Sequence, residues 1–163
     1  MSWNPWVEKR DHPLGEQGVR SSLEEVAKRA AQGGYHPRVK EWAGELIHEA
    51  RLRGVSVKGD RARAEILLKA AQDTKTWVPD PVGAEYIKGA HLLACSKDDE
   101  HGPCFNSGDC DDLVTLLAAS FLSVGLNTMI VGHAYDSGKN IQHVLASVRV
   151  KGEWLYADPS YDF

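Results

Sequence analysis

Nowhere in these 163 residues does an apolar run approach the roughly 20 residues that cross a bilayer. Cysteine is scarce, three residues in all, and an odd number makes a poor disulfide framework. The opening Met1-Ser2-Trp3-Asn4-Pro5-Trp6 has neither the charged nor the apolar stretch of a signal peptide. These absences lead to the expectation of a cytoplasmic protein with reduced thiols and no membrane association. No charge of one sign prevails either. With 19 Lys+Arg against 23 Asp+Glu the formal net charge is −4, so nothing global points to nucleic acid or an anionic surface. Basic residues from Arg29 to Arg63 are interleaved with glutamates, the pattern of a solvated helix face. No internal repeat is visible. What is present, 42% hydrophobic and 26% charged residues, fits one globular domain with a sizeable core.

Residues 1–18 carry Pro5, Pro13, Gly15 and Gly18 without periodicity and read as a flexible N-terminal arm. Residues 19–163 read as a single domain, with a helical subregion over 19–76 and a core over 77–163. Ser21-Ser22-Leu23-Glu24-Glu25 offers N-caps and acidic first-turn residues, predicting a helix that stops at Gly33-Gly34. Pro37 opens a second helix, with Val39, Trp42, Ala43, Leu46, Ile47 and Ala50 on one face and Gly54 past its end. Asp60 is expected to cap a third. Val78-Pro79-Asp80-Pro81 then breaks the helical pattern. Residues 89–109 read as a long functional loop.

Leu113 to Val124 is apolar around most of its circumference, which predicts a buried central helix stopped by Gly125. Strands are expected over Thr128–Tyr135, His143–Val150 and Glu153–Ala157, with turns at Asp136–Asn140 and Lys151-Gly152. Helices followed by one buried helix and an antiparallel sheet define an α+β fold.

Ser107-Gly108-Asp109-Cys110-Asp111-Asp112 feeds the central helix, so Cys110 is expected at its N-terminus. Unpaired N–H groups and the helix dipole there favour thiolate, while three aspartates oppose it. A small packed hydrophobe and a nucleophile are both open readings of this cysteine. His143 and Asp158 lie downstream on neighbouring strands. A two-residue loop at Lys151-Gly152 sets Val150 opposite Glu153, so Asp158 faces Leu145 and His143 is its diagonal neighbour on the same face. Their β-carbons are then about 7–8 Å apart, within reach of a hydrogen bond. A three-residue loop would place them on opposite faces. Asp158 before Pro159 could equally serve a turn. Cys95, Cys104 and Cys110 with His91 and His101 lack a close Cys-x-x-Cys pair, so no metal is expected.

Gly108-Asp109-Cys110-Asp111-Asp112, His143-Val144 and Trp154-Leu155-Tyr156-Ala157-Asp158-Pro159, in that order, resemble the core of the transglutaminase-like superfamily. The likeness covers residues 77–163, and more loosely the helical half of bacterial and phage members. It implies a papain-like fold, with Cys110 as nucleophile, His143 as general base and then acid, and Asp158 orienting the imidazole. The Cys110 N–H would hold the oxyanion, with Trp77 as candidate second donor or, alternatively, an apolar anchor. It further implies acyl transfer on a protein or peptide amide through a thioester without settling the reaction; because an open polar cleft admits water, hydrolysis (protease, amidase or deamidase) is expected in preference to cross-linking. No cofactor or metal is implied, since the calcium sites of animal transglutaminases have no counterpart here. Some members of the superfamily are scaffolds, so the alternative is a non-catalytic binding or assembly module of the same fold, a phage-associated one among the options.

Overall fold

The computed structural model describes residues 7–10, 16–81, 85–95, 104–133 and 143–160. Three helices come first: α1 (Glu16–Tyr35), α2 (Pro37–Leu52) and α3 (Gly59–Thr74). They pack around α4 (Cys110–Ser123), whose residues from Asp111 to Phe121 are all buried. Helix α4 also covers one face of an antiparallel sheet of β5 (Thr128–His133), β6 (His143–Val150) and β7 (Glu153–Ala157), in that spatial order. The fold is α+β. Two small pairings complete it: β1 (Val7–Arg10) is antiparallel to β3 (Glu85–Lys88), and β2 (Thr76–Trp77) is parallel to β4 (Ser107–Gly108).

Alternation along β6 explains the packing. Val144, Ala146, Val148 and Val150 are buried and join Val114, Leu117, Ala118 and Phe121 of α4 in the main core. A second cluster joins Val39 and Trp42 of α2 to Leu116 and Ala119 of α4 and to a 3₁₀ turn, Ala90–Leu92. Apolar residues on both sides of α4 are what let it sit in the middle.

Helix α1 differs from the sequence reading at both ends. It begins at Glu16, ahead of Ser21-Ser22, and runs through Gly33-Gly34 to Tyr35. The glycines are not a stop signal but a contact. A β-carbon at Gly33 would lie 2.7 Å from that of Ala90 and 2.9 Å from that of Ala119; one at Gly34 would lie 2.9 Å from that of Leu122. Their missing side chains let α1 and α4 approach closely. Val7–Arg10, within the segment expected to be an arm, forms a strand. Asp60 is not the cap of α3; it lies in the first turn and pairs with Arg63 at 2.7 Å. The segment 89–109 holds the 3₁₀ turn and β4, and its Cys95 and Cys104 form a disulfide with Cα atoms 5.9 Å apart. The expectation of three reduced thiols is therefore corrected; Cys110 is the free one. The expected turn at Asp136–Asn140, the end of the strand at Ala134-Tyr135, and His101 lie outside the described residues.

No helix among the described residues is long and apolar enough to cross a membrane.

Candidate active site

Helix α4 starts where its sequence says it can. Asp109 is the N-cap, with one carboxylate oxygen accepting from the N–H groups of Asp111 and Asp112 at 3.1 and 3.3 Å. That makes Cys110 the first helical residue. Gly108 is required by the next turn, because a β-carbon there would lie 2.5 Å from that of Asp112. Asp112 is fully buried, and its carboxylate takes two bonds from one residue: the Lys88 N–H at 2.7 Å and the Lys88 ammonium at 2.5 Å. Burial nevertheless holds its carboxyl above the usual carboxylate range, Lys88 pulling the other way. This buried pair ties β3 to the N-terminus of α4, and sequence reading missed it. The signal was an acidic residue inside an otherwise apolar helix, which demands a cation, but nothing in the sequence says which one.

The hairpin joins β6 and β7 in the register inferred from its parity, with Val150 opposite Glu153 and Ala146 opposite Ala157. Lys151 and Gly152 both have positive φ, 50° and 88°, as a two-residue type I′ turn requires. Asp158 follows the last paired residue, and His143 Nε2 lies 2.5 Å from Asp158 Oδ2. The other oxygen, Oδ1, accepts the Ser160 N–H at 2.9 Å, while Gln72 of α3 donates to the Asp158 carbonyl at 3.1 Å. Asp158 thus serves a turn and the histidine at once. Both side chains are more than nine-tenths buried.

Cys110 packs on the cluster that contains Val144, the residue after His143, and the Val144 backbone N–H acts to lower the thiol's pKa. The thiol itself is directed at Asp111 Oδ1, 3.7 Å away. Its acidity departs from the expected helix-end effect. Burial first, then the charges of Asp111 and Asp109, push the thiol well above its ordinary range, and the N–H groups of Val144 and Asp111 only partly offset them. A resting thiolate is therefore not what this environment favours: burial and two of the three aspartates outweigh the helix end.

Trp77 sits on β2 opposite Gly108, two residues before Cys110. Thr76 N–H donates to Asn106 and Val78 N–H to Gly108, so strand alternation turns the Trp77 N–H to the opposite edge. Trp77 is 52% exposed.

No protein-family model and no curated protein matches this chain. Among solved structures, the chain is similar to a crystal structure of a candidate protease from Parabacteroides distasonis, with a TM-score of 0.59 and 13% identity. The alignment covers 97% of this chain and 31% of that one, so the chain spans under a third of that protein. At this identity the likeness is one of fold.

Proposed function

We propose that this protein is a cysteine-dependent acyl-transfer enzyme of the transglutaminase-like type, acting on an amide of a protein or peptide. The observation that supports it most is the 2.5 Å His143–Asp158 contact beside a helix-terminal thiol packed on the cluster that contains Val144, the residue after His143. With Nε2 held by Asp158, proton exchange with the thiol falls to Nδ1. Because the thiol is held protonated, its proton passes to His143 as sulfur attacks the carbonyl carbon, and Asp158 stabilises the imidazolium that forms. The Cys110 N–H is a candidate donor to the oxyanion, with the side-chain indole N–H of Trp77 as the candidate second donor. The imidazolium then gives its proton to the leaving amine as the C–N bond breaks, leaving a thioester on Cys110. Water, deprotonated by His143, attacks that thioester; the acid leaves and the thiol is restored. An amine in place of water would give cross-linking, which is the lesser reading.

The likeness in fold to a candidate protease agrees with hydrolysis. A mixed peptide library incubated with wild-type protein and with Cys110→Ala tests the reaction: new carboxyl termini or deamidated side chains are expected in the first reaction only. Equal product from both samples contradicts the proposal. The raised thiol favours one second reading, a non-catalytic binding or assembly module, and that reading predicts no product in either sample.

A further inference from the structure

Asp158 stands just past the last paired residue of β7, where the sheet ladder no longer holds the backbone. Pro159 follows, so the next peptide has no N–H of its own to offer. Among the described residues three bonds fix Asp158. His143 Nε2 meets Oδ2 at 2.5 Å, the Ser160 N–H reaches Oδ1 at 2.9 Å, and the Gln72 side-chain amide donates to the carbonyl at 3.1 Å. The first two act on the carboxylate, and only the third acts on the backbone that carries it. The Ser160 hydroxyl does not add a fourth, since its oxygen is buried and has no partner among the described residues.

Gln72 is seated firmly enough to serve as an anchor. It lies near the C-terminal end of α3, 86 residues from Asp158 in sequence. Its neighbour Ala71 is fully buried, and one turn earlier Leu67 lies in the main core with Leu68 packed against it. The half-buried amide therefore projects from a helix whose own position is set by packing.

The carbonyl that Gln72 binds belongs to the Asp158–Pro159 peptide. A pivot of that peptide would draw the Ser160 N–H away from Oδ1, and the carboxylate would lose the contact that aims its other oxygen at His143. Asp158 is buried, and a buried carbonyl without a donor is unfavourable, so removing the Gln72 amide would favour such a pivot.

From these bonds we infer that Gln72 is a positioning residue of the active site: by fixing the Asp158 carbonyl it keeps the Asp158 carboxylate on His143. The inference rests on the reading of Cys110, His143 and Asp158 as the reacting group, and it gives the helical half of the chain a part in the chemistry.

The test compares the wild-type protein with Gln72→Met, which keeps the length of the side chain and removes its donor, and with Gln72→Lys, which keeps a donor. The proton shared by His143 Nε2 and Asp158 is followed by NMR at low temperature. Acylation of Cys110 by p-nitrophenyl acetate is followed against pH and ester concentration. In Gln72→Met the far-downfield proton is expected to move upfield or to exchange too fast to be seen. Acylation is expected to slow about tenfold, near the upper worth of one neutral hydrogen bond, with the KM for the ester unchanged. Gln72→Lys is expected to retain both the resonance and the rate. An unchanged resonance in Gln72→Met overturns the inference. A lowered thermal midpoint with no change in the resonance also overturns it, because that marks a structural role alone. A shifted resonance together with no acylation of the wild type supports the positioning role and contradicts the acyl-transfer reading, so the two failures are distinct.

Discussion

At Cys110 a helix terminus and two carboxylates act in opposite directions, and burial decides between them. The thiol is pushed up, so its thiolate fraction is small at neutral pH and grows tenfold with each pH unit. Alkylation by iodoacetamide should therefore be slow at pH 7 and keep rising beyond pH 9, with no plateau near neutrality. Asp111→Asn removes the larger of the two repulsive charges and should speed alkylation at pH 7 several-fold. A neutral-pH plateau in the wild type would instead show a preformed ion pair. The three aspartates were visible in the sequence as a problem for the thiol. What was not visible is that only two of them act on it, because Asp112 turns inward to Lys88. Lys88→Met leaves a buried carboxylate without its cation and should cost about 3–5 kcal/mol in denaturant unfolding. A loss below about 1 kcal/mol would mean the pair contributes little.

The elements of the C-terminal half were the most legible. β6 and β7 end where alternation and the Lys-Gly turn put them, because a two-residue hairpin fixes register as soon as its loop is identified. That register is also why the His143–Asp158 contact could be inferred without coordinates. The helical half was legible in type and less so in its limits. Gly33-Gly34 resembles a helix end in sequence, yet the same residues also permit two helices to touch, and only the presence of Ala90 and Ala119 opposite decides which. Gly33→Ala tests this. In an exposed helix interior the change would add about 1 kcal/mol of stability. Here it should destabilise by about 1–3 kcal/mol, since the added carbon meets two packed side chains. A gain in thermal midpoint would contradict the close approach. The Lys88–Asp112 pair and the Cys95–Cys104 disulfide were not legible, because each joins segments whose proximity arises only from tertiary packing.

Over the whole molecule, α4 serves two regions: its first turn presents Cys110, and its later turns pack closely against α1 at Gly33 and Gly34. His91, stacked on His36, gives the fold a dependence on pH. Burial, then His36, Arg38 and Arg29, lower His91 from 6.5 to about 4. The folded chain then binds fewer protons than the unfolded one between these values, so stability is full above pH 6.5 and falls as pH drops towards 4. His91→Gln should flatten that part of the stability curve; an unaltered slope would place its origin elsewhere. At the other end of α4, an acyl-enzyme on Cys110 is the most direct sign of the proposed reaction. Wild-type protein treated with an activated ester such as p-nitrophenyl acetate should show a burst of p-nitrophenol and one acetyl adduct, mapped to Cys110 by mass spectrometry. The burst should vanish in Cys110→Ala and slow by about 10²–10⁴ in His143→Ala. An unmodified Cys110, or an undiminished rate without His143, would contradict the account.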